Sequence, residues 1–350
     1  MTSPLAKHPV IKWVRRWVEL GHPLGTALPE TKYHQSMEPE GVTMTKEIAA
    51  VPPESVRFHL LGPIAANKDG DPVDLGAKRE RRLLVALLSA AGRRVSRTEL
   101  VEWVWDDVPA DPTRALYEVV SDLRRKCLDA LGLELAAKDG WYRLDVLPEC
   151  VDVNRFRALI ARALESADED RLPLLEEALR LRRGVPLTGL DGRRIEAYRH
   201  TLVDDLRTVE VLISQSDIRR GRGEARVPLL KRLVRERPDD SRTVGLLMYV
   251  LHRLGSTAEA IAAYHGHRDR LAANGAKVPQ SLRELHVRIA RGDRDLSPEA
   301  DVFLGGREIP SPSSAQDDDR EPDRSARVVN TIHAPVTGEN IVFGIQNQVR

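Results

Sequence analysis

Between Pro112 and Gly132 the apolar residues Leu116, Val120, Leu123 and Cys127 recur at i, i+4, i+7 and i+11, so they line one face of a helix. At about 100° per residue, Arg114, Glu118, Ser121 and Arg125 fall on the opposite face. The proline before and the glycine after are start and stop signals. Upstream, "VRFHLLG" at 56–62 alternates and predicts a strand, and "KDGDPVDLG" predicts a turn and a second short strand. "AKRERRLLVALLSAAG" predicts an amphipathic helix stopping at Gly92. "RRVSRTELVEWVW" predicts a short extended piece and a helix starting at Ser96, where Ser96 and Glu99 have capping-box spacing. After the long helix, "LELAAKDGWYRLD" predicts a hairpin that turns at Asp139-Gly140, with Trp141 and Tyr142 on the returning strand. Strands, three helices and a closing hairpin are the order of a winged helix with an N-terminal sheet. Its helix-turn-helix pair is 97–106 and 112–130, and the second helix of such a pair enters the major groove.

Residues 151–292 carry no strand pattern; seven helical stretches follow one another, broken at Gly, Pro or Asp/Ser pairs. The section 222–273 has the regularity of tetratricopeptide-type helix pairs, with small alanines at "LHRLGSTAEAIAAY" where helices must approach closely. The expected fold is therefore mainly α: an α+β winged-helix DNA-binding domain followed by an all-α, tetratricopeptide-like helical domain. Residues 1–55 read as a flexible extension. Within it "VIKWVRRWVELG" places Trp13, Trp17 and Leu20 on one side, as a docking or membrane-surface segment would. Met37 and Met44 are alternative starts that would leave that segment untranslated. Residues 296–327 are acidic and poor in apolar side chains, a disordered linker by composition, and 328–350 are β-prone around Pro335 and Gly338.

Composition narrows the function more by exclusion than by indication. The chain of 350 residues has room for two domains, and 41% hydrophobic with 31% charged residues suits a soluble protein. No apolar run reaches membrane-spanning length and no signal-peptide core stands at the N-terminus, so a cytoplasmic protein without a membrane partner is expected. Two cysteines give no disulfide framework, and Cys127 sits on an apolar face where packing is its expected role. Trp105 is expected in the core for the same reason. The 44 Arg against 10 Lys point to a GC-rich coding sequence. Residues 56–150 hold 15 Lys/Arg against 16 Asp/Glu, so DNA binding there must rest on local patches: "KRERR" at 78–82, Arg93 and Arg94 with Arg97, and "RRK" at 124–126. Residues 151–300 hold 28 against 23. There is no phosphate-binding G-x-x-x-x-G-K-[ST] loop, paired-carboxylate motif or Ser-His-Asp pattern, so neither an enzyme nor a cofactor is expected. His265 and His267, two residues apart on a helix, face different sides and make a poor metal site.

The order and spacing of several pieces resemble those of the SARP-type bacterial transcriptional activators, in which an OmpR-like winged helix precedes a helical bacterial transcriptional activation domain. The pieces are "LLGP" at 60–63, "LLVALLSAAGRRVSRTELVEWVW" at 83–105, "ALYEVVSDLRR" at 115–125, "GWYRLDV" at 140–146, "VDVNRF" at 151–156, "GVPLTGL" at 184–190 and "SLRELHVRI" ending at 289. The resemblance implies a winged helix over 56–148 and an activation domain over 149–295, the short form without an NTPase or receiver domain. It also implies an activator that binds repeated sites in double-stranded promoter DNA as a homodimer and contacts RNA polymerase holoenzyme. On that basis Arg114, Tyr117, Glu118 and Ser121 are the candidates for base or backbone contact. Arg114 is suited to pair bidentately with guanine and Glu118 to accept from cytosine N4. Ser121 and Arg125 are suited to phosphates, as are Arg124 in the same basic run, Arg143 on the wing, and Arg93, Arg94 and Arg97 ahead of the second helix. Two residues depart from the pattern: Asp122 stands where family members often carry a base, and Glu118 adds a second acid. Negative charge beside phosphate lowers affinity, which keeps open an alternative function, a tetratricopeptide-like interaction scaffold with weak or no specific DNA binding. The tail "NTIHAPVTGENIVFGIQNQ" loosely resembles Asn/Gly/Gln-rich self-assembly motifs; it is either a site of self-association through stacked amide ladders or a disordered tail with incidental β propensity.

Overall fold

Three strands lead the chain in a computed structural model that describes residues 56–293, 295–296 and 302–304. The N-terminal extension with its Trp13/Trp17 segment and alternative starts, most of the acidic linker and the whole β-prone tail lie outside the described residues. Strands β1 (Val56–His59), β2 (Ala65–Lys68) and β3 (Asp71–Val73) form an antiparallel sheet in the order β1-β2-β3, with Val56 opposite Lys68 and Ala66 opposite Val73. Only two strands are expected here from the pattern. The extra one, β2, reads "AANK" and has no apolar alternation to reveal it. It is set by the Asp69-Gly70 corner, where both residues take positive φ (52° and 93°).

Helices α1 (Lys78–Ser89), α2 (Arg97–Val104) and α3 (Pro112–Leu123) follow, with the short strand β4 (Val95–Ser96) between the first two. The Ser96 hydroxyl accepts from the Glu99 N–H at 3.2 Å to cap α2, and the Asp111 carboxylate accepts from the Arg114 N–H at 3.0 Å to cap α3, whose first residue is Pro112. Helix α3 runs on through a π-helical turn, Arg124–Leu128, and a last turn, Asp129–Leu131, to Gly132 at φ 72°. A hairpin of β5 (Leu135–Lys138) and β6 (Trp141–Leu144) closes the unit, and β4 joins it in the order β4-β6-β5. Seven helices follow: α4 (Asp152–Glu165), α5 (Asp168–Arg180), α6 (Arg193–Arg219), α7 (Val227–Glu236), α8 (Ser241–Arg253), α9 (Thr257–Ala273) and α10 (Gln280–Arg291). The fold is mainly helical, an α+β winged helix followed by a helical region. Among the described residues no helix is long and apolar enough to cross a membrane.

Two apolar cores hold these elements, and they meet within α6. One runs from Val56 to Ile213 and takes in β1, α1–α3, the hairpin, α4, α5 and the first part of α6; the other runs from Val211 to Leu304. Trp105 and Cys127 are buried in the first, and burial pushes the Cys127 thiol up to about 11, which suits a packing residue. The segments "LLGP", "VDVNRF" and "GVPLTGL" converge where the winged helix joins the helical region. Asp152 accepts at 2.9 Å from the backbone N–H groups of both Leu60 and Leu61. The Arg183 N–H donates to the Leu61 carbonyl at 2.8 Å and Leu187 to that of Leu60 at 3.1 Å. A β-carbon added at Gly62 would lie 2.9 Å from Cβ of Arg183, so a side chain there has no room.

Candidate nucleic-acid interface

The cap at Asp111 and the apolar stripe Leu116, Val119, Val120 and Leu123 fix which side of α3 faces out. That side carries Arg114, Tyr117, Glu118 and Ser121, all exposed, with Tyr117 at 53% despite its aromatic ring. Together with Asp111, Thr113 and Asp122 they line a shallow concavity of about 660 Å³. The four candidates that the family resemblance implied therefore share one continuous surface.

Their electrostatics are largely self-compensated. The Arg114 guanidinium donates to Glu118 at 3.3 Å, one helical turn on. Asp122 accepts from Arg125 at 2.7 Å and from Lys126 at 3.1 Å, and these partners, Lys126 foremost, hold its carboxyl below the usual range. Lys126 also reaches the buried Glu80 on α1 at 3.1 Å. On the wing, Arg143 pairs with Asp145 at 2.8 Å. Exposed pairs of this kind contribute about 0–1 kcal/mol each, so a phosphate is able to compete for the cation. Arg93 and Arg94, exposed on the turn between α1 and β4, carry no ion pair among the described residues.

Two of the candidate arginines are placed inside the scaffold. Arg124 donates to the Leu135 carbonyl at 2.7 Å and so ties α3 to the wing strand β5. Arg97 ties its own helix to two other elements, the wing turn and α3. Its N–H donates to the Gly140 carbonyl at the wing turn (2.9 Å), and its guanidinium reaches Thr113 (3.5 Å) and lies 5.8 Å over the Tyr117 ring. A β-carbon on Gly140 would sit 3.6 Å from that guanidinium, in ordinary contact. The spacing of Arg124, one residue after the buried Leu123, was a signal for a half-buried position; the bridging role of Arg97 has no local signal. Trp141, at the wing turn and 48% exposed, is a surface aromatic that sequence reasoning did not single out for this interface. His265 and His267 do not converge: His267 is buried against Ser241 and the Pro238 carbonyl. Among the described residues no group of three or more His, Cys, Asp or Glu side chains is arranged to hold a metal ion.

Comparison with known proteins follows the same division. Residues 70–133 match the family model described as transcriptional regulatory protein, C terminal, and residues 151–290 match that of the bacterial transcriptional activator domain. The chain is 32% identical over 250 residues to the transcriptional regulator RedD of Streptomyces coelicolor, covering 68% of this chain and 71% of RedD. It is also 32% identical over 250 residues to the regulatory protein AfsR of the same organism, of which it covers 25%. To the transcriptional regulatory protein EmbR of Mycobacterium tuberculosis it is 30% identical over 245 residues, covering 63% of that protein. A solved structure of M. tuberculosis EmbR in complex with a low affinity phosphopeptide superposes with a TM-score of 0.63 at 28% identity, covering 71% of this chain and 68% of the other.

Proposed function

Because the chain belongs to the SARP-type family of bacterial transcriptional activators and is a DNA-binding transcriptional regulator, we propose that it inserts α3 into the major groove of double-stranded promoter DNA. Arg114, Tyr117, Glu118 and Ser121 face the bases and adjoining backbone. Arg93 and Arg94 from the α1–β4 turn and Arg143 from the wing neutralise phosphates, and Arg125 joins them by exchanging Asp122 for phosphate. Arg97 and Arg124 hold α3 and the wing in their mutual geometry. In this reading the protein acts in the cytoplasm as a regulator rather than an enzyme, binds repeated sites as a homodimer and engages RNA polymerase holoenzyme through its helical region.

The observation that carries the reading is the exposed row Arg114–Tyr117–Glu118–Ser121 on a capped helix whose opposite face is locked in the core. The test is fluorescence-anisotropy binding of the full chain to DNA tiling its own upstream region, at two salt concentrations. Site-selective binding that strengthens as salt falls and is lost in Arg114→Ala is the expected result. Weak, sequence-blind binding would instead favour the interaction-scaffold reading, for which the internal neutralisation of Arg114 and Arg125 is the motivating feature.

A further inference from the structure

Helix α10 ends at Gly292 with φ 77°, and the matched activator-domain model ends at 290. Yet Leu296, Phe303 and Leu304, beyond both limits, are buried in the second core. What receives them is unusual in composition. Helix α8 carries a glycine, Gly245, in its interior and in a buried position, where alanine would favour the helix. The reason is spatial: a β-carbon at Gly245 would lie 2.8 Å from Cγ of Phe303 and closer still to the ring edge. Helix α6 contributes the recognition of main chain. Gln215, itself buried, donates from Nε2 to the Phe303 carbonyl at 2.5 Å, and the Arg219 guanidinium donates to the Leu304 carbonyl. Carbonyls at the end of a helical turn have no partner within that turn, and here two side chains of another helix supply them.

We propose that the α6–α8 face is a peptide-docking socket, filled in cis by the turn 302–304. Its ligand is an aromatic–aliphatic pair that presents two successive main-chain carbonyls. The glycine makes the space for the ring, Gln215 and Arg219 bind the backbone, and no recognition element requires the ligand to be covalently continuous with the domain. The same segment supplied as a separate peptide therefore fits the socket when the cis turn is disabled. This inference is independent of the DNA-binding reading, since it involves neither α3 nor the wing.

A double-mutant cycle in the full chain tests it by sign. Gly245→Ala is expected to lower the thermal midpoint of the otherwise unchanged protein, because the added methyl displaces the ring. In the Phe303→Ala background the same substitution is expected to raise the midpoint, because only the helix-propensity gain is left. A synthetic peptide of residues 298–308 is expected to restore thermal stability to the full-length Phe303→Ala/Leu304→Ala chain, and the peptide with Phe303→Ala is expected to restore none. Gln215→Ala added to that chain weakens the peptide effect about tenfold, the loss of one buried hydrogen bond. A midpoint raised by Gly245→Ala in both backgrounds, or a native-sequence peptide without effect at millimolar concentration, overturns the proposal.

Discussion

At the scale of single residues, the interface is governed by which partner each cation keeps. Arg114 and Glu118 are both highly exposed, so their pair is weak and its main effect is to lower the local positive charge. Glu118→Gln is expected to tighten binding to DNA and to steepen the salt dependence by about one charge, since Arg114 then faces phosphate or base unopposed. Arg114→Ala is expected to lose about 1–3 kcal/mol at the preferred site. Anisotropy titrations across a salt series read both, and an unchanged slope in Glu118→Gln counts against the exchange of partners. Arg97 separates positioning from contact. If its guanidinium holds Thr113 and Tyr117 in place, Arg97→Ala, which keeps the backbone bond to Gly140, weakens binding while leaving the salt slope as it was, whereas a phosphate-contacting arginine would reduce the slope by about one. Arg114, Glu118 and Ser121 of the outward row on α3 were legible in the sequence from helical periodicity, and Tyr117 joined them only through the family resemblance. The pairing of Arg125 with Asp122 at i−3 obeys a helical spacing rule, although the resemblance directed Arg125 to phosphate instead. The contacts of Arg97 to Thr113, Tyr117 and Gly140 span up to 43 residues of chain and exist only once α3 and the wing have packed against α2.

At the scale of elements, the periodic helices and the short strands β1, β3, β4, β5 and β6 were readable, and β2 was not. Caps and breakers announced α2 and α3, but the four residues of β2 hold no alternation, and their pairing follows from the Asp69-Gly70 corner. The π-helical turn after α3 was equally silent; it buries Cys127 and Leu128 side by side. The segments "LLGP", "VDVNRF" and "GVPLTGL" suggested a family without disclosing what they do, and the fold supplies the reason: they build one junction. Asp152 is its centre. Burial pushes this carboxyl up to about 6, against the pull of the backbone N–H groups of Leu61, Leu60 and Val153. The folded state therefore holds the proton more tightly than the unfolded chain, whose Asp titrates near 4. It follows that the Asp152 contribution favours folding most below about pH 4 and declines as pH rises to about 6, by at most about 3 kcal/mol. Chemical denaturation from pH 4 to 7 should show that decline in the native chain and a flatter profile in Asp152→Asn. Asp152→Ala, which leaves two buried N–H donors unmet, should destabilise by about 2–4 kcal/mol at neutral pH.

At the scale of the whole described molecule, the change near residue 150 from mixed strands and helices to helices alone suggests a boundary between two domains, but the apolar core does not divide there. It passes from β1 and α1–α3 into α4, α5 and the first part of α6 and gives way to the second core at Val211–Ile213. An ionic latch strengthens the same union. Arg82, buried on α1, donates to the Val104 carbonyl (2.8 Å), to Asp106 (3.2 Å) and to Asp191 (2.8 Å). Asp106, in the turn before α3, also accepts from the Arg193 N–H at 2.7 Å, and Lys78 joins Asp191 at 2.5 Å. A β-carbon at Gly192, which takes φ 116°, would lie 2.6 Å from the Arg82 guanidinium, so a side chain there would have to push that guanidinium out of the latch. Separating them would strand a buried arginine and expose Phe58, Leu60 and Leu61, all buried. The cooperative units should therefore follow the cores rather than the change in secondary-structure pattern. Native-state hydrogen exchange on the full chain is expected to show β1 and α1 amides opening at the same free energy as those of α4 and α5, with α7–α10 forming a second group and the division falling inside α6. Asp191→Ala together with Asp106→Ala should lower the first group and leave the second unmoved, because the latch touches only the first core. If instead the amides of 56–148 exchange together while α4–α6 exchange with α7–α10, the winged helix is an independent body and α3 is presented to DNA without any bearing from the helical region; the shared core and the stranded charge of Arg82 argue for the opposite outcome.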